Sequence, residues 1–329
     1  RCGMSNGAGT PAWLATRNDR TAFRLLLAHG PLSRSRLGEL SGMSKPTAGQ
    51  MIARLERAGL IAPAGEVSGA RGPNAIAYGV RTDSLTGVAI SILADRIEAV
   101  LVDPTDADHP VAVLPTAGAV RSPATDVVRA VKAAAKAAKV DRGSVSVVTI
   151  GVQAAVDAAA DRLSFTDTLP GWPGTGSRAL IEQGTGLSVA LENDVNLATM
   201  AEAAATGLSD FAYLWLGVGL GAGLDVGGVV QRGASGSAGE IGYLGVPRSA
   251  VALDPDANDF TDLLGGPAVA ALLGGGDLAS ALALLPGNEP ALAALADRIA
   301  LLVEILAAVA DPALVVLGGF GAVQRARLI

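Results

Sequence analysis

The feature that most constrains the fold is a change of pattern near Thr86. From there on, short apolar runs such as "VSVVTIGV" alternate with Ala-rich segments of helical period such as "ATDVVRAVKAAAKAAKV". Alternating strands and helices predict an α/β body in which helices pack against sheets. The chain has 329 residues, half of them hydrophobic, which is enough apolar material for two or three domains.

The charge of the chain is divided between two parts. Residues 1–81 hold 11 Lys and Arg against 4 Asp and Glu, whereas residues 82–329 hold 14 against 27, so the two parts carry +7 and −13. A basic segment on an acidic body indicates that the segment, and not the body, meets a polyanion. An ordinary solvated surface has the same appearance, so the charge alone leaves both interpretations open.

Composition excludes several classes of protein. Eleven Phe, Trp and Tyr in total are too few for widespread base stacking, which argues against single-strand nucleic-acid binding. Cys2 is the only cysteine, which excludes an internal disulfide and a cysteine-rich zinc cluster. No apolar run approaches the roughly 20 residues that span a bilayer and no signal-like stretch follows Arg1, so we expect a cytoplasmic protein without a membrane partner.

Residues 17–81 predict a winged helix-turn-helix, preceded by a flexible lead at residues 1–16 that lacks periodicity. Three helices are expected, the second after the N-cap candidate Ser33 and the third after Ser44. Apolar stripes at helical spacing comprise Ala22, Leu25, Leu26 and Ala28 in the first helix and Ala48, Ile52 and Leu55 in the third. Two strands near 60–64 and 75–80 form the wing.

The third helix has the pattern of a recognition helix. Polar side chains on the face opposite its stripe can read base edges near its N-terminus, while cations contact phosphates. The basic tip of the wing can enter a minor groove or lie along phosphates. The candidate DNA-binding residues are Ser44, Lys45, Thr47, Gln50, Arg54 and Arg71. A winged helix that binds protein is the alternative.

A second candidate site lies in the body. The stretch "LSVALENDVNLATMAEAAA" indicates a strand, a loop and a helix, and it places Glu192, Asn193, Asp194 and Asn196 at the C-terminal end of the strand. Open α/β sheets bind their ligands at this end. Further on, the glycines of residues 217–223 alternate with apolar residues, which suits either close backbone approach to a ligand or a tight hairpin.

Five segments of the body resemble, in order and spacing, the ROK family of repressors, open reading frames and sugar kinases, which has an actin-like ATPase fold. They are "LPGWPG" at 169–174, "LENDVNLATMAE" at 191–202, "LGVGLGAGL" at 216–224, "RGASGSAGEIGY" at 232–243 and "VVLGG" at 315–319. The resemblance implies that residues 82–329 form a two-lobed, sugar-kinase-like domain that binds an effector and dimerises. The winged head resembles that of the family's repressor branch.

The resemblance also implies the ligand contacts. Asn193 and Asp194 match a pair that hydrogen-bonds sugar hydroxyls, and in the kinases this Asp is the general base; Glu240 matches a sugar-binding Glu. The last sugar-binding Glu falls at Asp262, or at Thr261 after a one-residue shift. The candidate effector-binding residues are therefore Asn193, Asp194, Glu240, Tyr243 and Asp262. A simpler interpretation makes Asp194 a helix cap and Glu240 a loop carboxylate.

The phosphate-binding motifs depart from the family. Ala89 stands where the kinases have a magnesium-binding Asp, and Ile90, Ile92 and Leu93 replace the neighbouring small residues. Val218 replaces a Thr in the second phosphate loop. A phosphate cradle needs accessible N–H groups and a carboxylate for the metal, so we expect that kinase activity is lost.

The family's structural zinc site is also altered. Tyr243 replaces the His ligand, and the cysteine positions fall near Leu253, Pro255 and Phe260, so no zinc and no other cofactor is expected. In addition, Gln153 stands at the usual Pro of the "GxPGxVD" loop. The pocket is therefore expected to take a modified ligand, a weakly bound ligand or none.

Together these features predict a sequence-specific transcriptional regulator, a repressor, that binds a double-stranded DNA operator as a homodimer or homotetramer. A sugar or related effector would bias a hinge and thereby the spacing of two winged heads. Two alternatives stay open. One is a sugar kinase with a fused DNA-binding head, and the other is a regulator without a ligand whose body only dimerises.

Overall fold

The structure is a computed structural model that describes residues 11–69, 72–81, 86–104, 107–116 and 121–320. The α-helices are α1 Pro11–His29, α2 Arg34–Ser41, α3 Lys45–Arg57, α4 Pro123–Ala138, α5 Ser177–Thr185, α6 Asp194–Thr206, α7 Phe260–Leu264, α8 Gly266–Leu273, α9 Leu278–Ala283 and α10 Glu289–Ala310. The strands are β1 Leu32–Ser33, β2 Ile61–Gly69, β3 Gly72–Val80, β4 Thr86–Ile92, β5 Arg96–Val102, β6 Ala112–Pro115, β7 Val145–Val152, β8 Ala155–Asp157, β9 Arg162–Ser164, β10 Ser188–Asn193, β11 Phe211–Leu216, β12 Leu220–Val226, β13 Val229–Val230 and β14 Leu314–Gly319.

The N-terminal part contains the three helices and the hairpin that the sequence predicts. Its antiparallel sheet has the order β1-β3-β2, with Leu32 opposite Tyr78. The hydroxyls of Ser33 and Ser44 cap α2 and α3, because each accepts a hydrogen bond from a backbone N–H in the first turn. The core comprises Ala22, Leu26, Leu32, Leu37, Ala48, Met51, Ile52, Leu55, Ile61 and Tyr78.

Some details of this part differ from the expectations. Helix α1 begins at Pro11 rather than near Arg17, and a proline is well tolerated in a first helical turn. Ala28 is exposed, because it lies about 200° around the helix from the buried Leu26. Strand β2 extends to Gly69 with two irregularities in its pairing to β3.

Within the described residues the body contains three further sheets. Its helices alternate with strands as far as β13, after which α7, α8, α9 and α10 follow one another before β14. A five-stranded sheet has the order β10-β7-β4-β5-β6, a four-stranded sheet has the order β13-β12-β11-β14, and β8 pairs with β9. In the four-stranded sheet β11 is antiparallel to β12 and parallel to β14. Among the described residues, no helix combines the length and apolar character needed to cross a membrane.

The chain divides into two compact units. The described residues of the first lie within 1–89, 99–112 and 129–148, and those of the second lie within 90–98, 113–128 and 149–329. The core of the second unit contains the inward side chains of β11 and β12 and apolar residues of α7, α8 and α10. All residues of the candidate ligand site belong to this second unit. The domain boundary expected at residue 82 stays a prediction.

The alternating glycines of β12 bring a helix onto the sheet. A Cβ at Gly223 would overlap the Thr199 hydroxyl of α6, and a Cβ at Gly221 would lie 2.9 Å from a methyl group of Val195. The preceding residues form the tight turn of the β11–β12 hairpin, where the Gly217 N–H donates to the Gly219 carbonyl at 3.1 Å. The hairpin interpretation is therefore correct, and close backbone approach serves the packing of α6.

Candidate functional site

The first part of the candidate site is the junction of β10 and α6. Asn193 ends the strand and Asp194 begins the helix, so the loop expected between them is absent. Asn193 is the N-cap: its Oδ1 accepts from the Asn196 N–H at 3.0 Å, and its Nδ2 donates to the Ala154 carbonyl at 3.0 Å. Because Asn193 caps the helix, the Asp194 carboxyl is not needed for that role, and it accepts from the Val195 N–H at 2.9 Å.

The second part is the loop that carries Glu240. A Cβ at Gly239 would overlap the Ala222 carbonyl oxygen, and a Cβ at Gly236 would overlap that of Val156. Both glycines have positive φ, 91° and 79°, a region that other residues rarely adopt. The loop therefore lies directly against β12 and β8. This contact, together with the 2.8 Å hydrogen bond from the Ala222 N–H to the Gly239 carbonyl, fixes the position of Glu240.

Asp194 and Glu240 form a pair of desolvated carboxyl groups. Burial raises the pKa of Asp194 from 3.8 to about 6, against the opposing effect of the Val195 N–H. Burial, followed by the negative charge of Asp194, raises the pKa of Glu240 from 4.5 to about 7. Within the described residues, no side chain donates a hydrogen bond to the Glu240 carboxyl. Such groups are suited to accept hydrogen bonds from a ligand with adjacent hydroxyls.

Tyr243 lies next to this pair. It ends the short 3₁₀ turn Ile241–Tyr243 that follows Glu240, and its ring stacks on Phe165 with centroids 4.6 Å apart. Burial and then the negative charges of Asp167, Glu240 and Asp259 raise the pKa of the Tyr243 hydroxyl. The structure thus brings together the predicted residues Asp194, Glu240 and Tyr243, with Asn193 adjacent in the chain.

The structure does not bring Asp262 into this group. Its side chain is exposed, and its Oδ2 accepts from the backbone N–H of Asn258 at 3.0 Å and from Nδ2 of Asn258 at 3.3 Å. These bonds lower the pKa of Asp262. Its carboxylate thus stabilises a local turn, and the assignment of Asp262 to the pocket stays a prediction. Thr261 is the nearer residue, since its hydroxyl donates to the Gly242 carbonyl at 3.0 Å.

Glu192 has a supporting role that sequence reasoning missed. Its Oε2 accepts from Arg232 Nε at 2.6 Å, and its Oε1 accepts from Asn196 Nδ2 at 3.0 Å. These contacts join the β10–α6 junction to the start of the loop that carries Glu240. No local pattern indicates a partner 40 positions away along the chain. Phe165 was also missed, because it lies outside every motif.

Packing and hydrogen bonds stabilise the pocket wall at 236–260. Phe260 is fully buried and Leu253 packs against the same core, whereas Pro255 is exposed. The Arg298 guanidinium from α10 donates to the Leu253 carbonyl at 3.0 Å and lies 3.4 Å from Asp254 Oδ2. Within the described ranges, no group of three or more His, Cys, Asp or Glu is arranged to hold a metal. These residues do not fit a zinc site.

The positions of the altered phosphate motifs carry only aliphatic groups. Ile90 and Ile92 are buried, Ala89 is half-buried, and the Val218 side chain is 72% exposed in the β11–β12 turn. The Val218 carbonyl accepts from the Gly266 N–H at 3.0 Å, which ties this turn to α8. Aliphatic side chains supply neither a metal ligand nor a hydroxyl donor.

The N-terminal half of α3 presents polar groups on its outer face. Lys45 and Gln50 are exposed, while Ala48 on the same helix is buried. The Thr47 hydroxyl is half-buried and lies 2.9 Å from the Ser44 hydroxyl, which also caps the helix. Ser44 and Thr47 therefore organise the helix start, and Lys45 and Gln50 are the side chains directed to solvent.

Arg54 does not have the role expected for it. Its guanidinium donates to both carboxylate oxygens of Asp19 in α1, at 2.7–3.1 Å. Arg54 is thus not the free phosphate-binding cation that was expected. It lies more than one turn beyond Gln50, faces the neighbouring helix and forms an ion pair that fastens α3 to α1. Arg71, which the sequence pattern predicts at the tip of the wing, lies outside the described residues.

Comparison with known proteins agrees with this architecture. A family model described as the ROK family matches residues 89–257, just over half of the chain. A crystal structure of a ROK family transcriptional regulator, a homologue of the E. coli Mlc protein, has a TM-score of 0.68 at 17% identity and covers 96% of this chain and 87% of that one. The predicted fold, an N-terminal winged helix-turn-helix with an actin-like α/β body, is confirmed.

Matches to curated relatives are shorter. A putative xylose repressor of Caldicellulosiruptor sp. is 31% identical over 114 residues, which is 34% of this chain and 28% of that protein. A beta-glucoside kinase of Listeria innocua is 43% identical over 67 residues, which is 20% of this chain and 23% of that protein. The matches thus span about a quarter of the length of these relatives, which include both regulators and kinases.

Proposed function

Because the chain belongs to the ROK family, we propose that it is a sequence-specific DNA-binding transcriptional regulator, a repressor, that responds to a sugar or sugar-derived effector and has lost kinase activity. The observation that carries this proposal is the outer face of α3, where Lys45 and Gln50 project from a helix capped by Ser44 and packed through Met51 and Ile52. A long polar side chain and a cation at the start of such a helix suit base and phosphate contacts. The repressor among the relatives supports the same class.

The effector site is assigned to Asp194 and Glu240, with Asn193 and Tyr243 beside them. Two carboxyl groups that have been desolvated without a compensating cation accept hydrogen bonds from vicinal hydroxyls with little competition from water. Asn193 keeps one amide N–H beyond its bond to Ala154, which suits a ligand oxygen. No cofactor and no metal are needed for this recognition.

The effector is proposed to act by shifting a conformational equilibrium. A ligand that binds one conformation better than another changes the spacing of two recognition helices in a homodimer or homotetramer. Coupling between such sites is typically about 1–3 kcal/mol, so the response is graded. A symmetric dimer also predicts a pseudo-palindromic operator.

A sugar kinase is the second candidate, because a kinase is among the relatives and Asp194 has a pKa near neutrality, as a general base requires. Ala89 and Val218 oppose it, since they supply neither a magnesium ligand nor a hydroxyl donor. A coupled assay of ADP release with mixed hexoses separates the two. Turnover by the wild type that is abolished in the Asp194→Asn variant would overturn the proposed loss of kinase activity.

The DNA-binding part is tested by fluorescence anisotropy with the intergenic DNA upstream of the gene and a scrambled duplex, at fixed salt. We expect a preference for the upstream DNA that Gln50→Ala reduces by about 1–3 kcal/mol, the value of one good base contact. Glu56→Ala, an exposed change at the other end of α3, is the matched control and should keep the preference. Equal binding of both duplexes by the wild type would contradict the proposal.

A further inference from the structure

The stacked rings of Phe165 and Tyr243 are the exposed aromatic feature of the ligand site. Their centroids are 4.6 Å apart and their planes are inclined by 26°. Phe165 is 39% exposed and Tyr243 is 50% exposed. Single exposed apolar residues are ordinary, whereas an exposed ring pair beside desolvated carboxyl groups has the composition of a ligand-binding surface.

The backbone of Phe165 gives a second, independent observation. Phe165 follows the end of β9 and has φ 57°, in the left-handed region. For a bulky residue this conformation is an outlier. With this backbone conformation the Phe165 residue is 39% exposed, so a large apolar side chain lies partly in solvent. Strained residues of this kind cluster at ligand-binding sites.

The pair is continuous with the carboxyl groups. Tyr243 follows Glu240 by one 3₁₀ turn, and the charges of Glu240, Asp167 and Asp259 act on its hydroxyl. Glu240 in turn lies within the field of Asp194. A ligand that is hydrogen-bonded to the two carboxyl groups would therefore extend toward an aromatic surface.

We propose that Phe165 and Tyr243 form a subsite for the second ring of a two-ring glycoside, whose first sugar is held by Asp194 and Glu240. The second ring is a pyranose or an aryl group, because either presents a flat apolar face that packs against aromatic side chains. The preferred effector is thus a disaccharide or an aryl glycoside rather than a free monosaccharide. This inference rests on the proposed function, since it assumes that the carboxyl pair binds a sugar.

The test is isothermal titration of the full chain with matched methyl and phenyl glycosides of glucose, xylose and N-acetylglucosamine, and with disaccharides of the same sugars. For the sugar that binds, we expect the two-ring ligand to bind about tenfold or more tightly than the methyl glycoside, as one stacking contact provides. Comparison of the phenyl glycosides with the disaccharides shows whether the subsite prefers an aryl group or a pyranose as the second ring.

Variants distinguish a ligand surface from internal packing. Phe165→Asn keeps a residue type that tolerates positive φ and removes the ring, and Tyr243→Leu removes the other ring. Phe165→Asn should reduce the two-ring preference to within about twofold of unity while leaving methyl-glycoside affinity nearly unchanged. Tyr243→Leu should reduce the same preference. Phe165→Tyr keeps the stack and should keep the preference.

The outcomes separate this inference from the proposed function. One result would overturn the aromatic subsite alone: methyl glycosides bind, Asp194→Asn abolishes this binding, and the wild type shows no preference for two-ring ligands. The same conclusion follows if the wild type has such a preference and Phe165→Asn leaves it intact. Absence of binding by every glycoside to the wild type would overturn the sugar-binding site, and the subsite with it.

Discussion

Arg54 of α3 forms a bidentate ion pair with Asp19 of α1, with Nε 2.8 Å from Oδ2 and Nη2 2.7 Å from Oδ1. Paired hydrogen bonds between a guanidinium and a carboxylate fix orientation as well as distance. The pair therefore sets the angle at which α3 presents Lys45 and Gln50. In this arrangement Arg54 acts on DNA binding through the position of the helix.

Arg54→Met should lower the free energy of unfolding by about 1–2 kcal/mol, because it breaks a partly buried ion pair and leaves Asp19 without its partner. It should leave the slope of log affinity for DNA against log salt unchanged. Lys45→Met is the matched comparison: loss of one phosphate contact should reduce that slope by about 0.9. Urea unfolding and anisotropy at several salt concentrations measure both quantities. A reduced slope for Arg54→Met would restore its role as a phosphate contact.

Asp194→Asn should make the protein less sensitive to pH. Because the pKa of Asp194 is raised to about 6, the folded state holds this proton more tightly than the unfolded state does. Stability from this group is therefore present below about pH 4 and is lost as pH rises through 6. The free energy of unfolding of the variant, relative to that of the wild type, should therefore rise by on the order of 1–3 kcal/mol between pH 5 and pH 8.

Urea unfolding of both proteins at pH 5 and pH 8 measures this gain. Asp277→Asn is the control, because hydrogen bonds from Ser280 lower the pKa of Asp277. The stabilisation from Asp277 is present above its unfolded pKa and is lost only at acidic pH, so its variant should differ from the wild type equally at both pH values. A constant difference for Asp194→Asn would contradict the desolvation of Asp194.

Gly239→Ala should displace the loop that carries Glu240. The new Cβ would overlap the Ala222 carbonyl at a φ of 91°, so we expect a loss of about 1–3 kcal/mol in stability and weaker glycoside binding. Gly228→Ala is the matched control, since Gly228 has a φ of 78° but open space around the added methyl group. Thermal unfolding and titration calorimetry should show a larger effect at Gly239. Equal effects at the two positions would mean that backbone strain alone, without the contact to β12, explains the loss.

Arg298→Met should loosen the pocket wall. The guanidinium is nearly buried and donates to the carbonyls of Leu253 and Leu263, which lose their donors in the variant. We expect a loss of about 2–4 kcal/mol, whereas Lys132→Met, at an exposed cation of α4, should have little effect. Prolonged treatment of the wild type with a chelator should leave the midpoint of thermal unfolding unchanged. A clear fall in that midpoint would show that a metal stabilises the wall.

Features specified by local sequence were predictable. The caps at Ser33 and Ser44 and the buried stripe of Ala48, Ile52 and Leu55 follow from periodicity and capping preferences that act within a few residues. The strand and the helix on either side of Asp194 were also predicted, but the loop expected between them is absent. The family motifs then identified the partners Asp194 and Glu240, which lie far apart in the chain.

Features that depend on contacts distant in sequence were not predictable. The bonds Arg54–Asp19, Glu192–Arg232 and Arg298–Leu253 join residues 35, 40 and 45 positions apart, and no local pattern specifies such partners. The local bonds of Asp262 were missed for a related reason: counting along a motif locates a residue in the chain, whereas hydrogen bonds from Asn258 determine where its carboxylate lies.

The measurement that tests the central proposal most directly is operator binding with and without ligand. Fluorescence anisotropy at fixed salt, with the upstream DNA, a scrambled duplex and a pool of sugars and glycosides, compares the wild type with Asp194→Asn. We predict that the pool weakens selective binding by the wild type about 5- to 150-fold and has no effect on the variant. Selective binding that every sugar leaves unchanged would contradict the proposed sugar response.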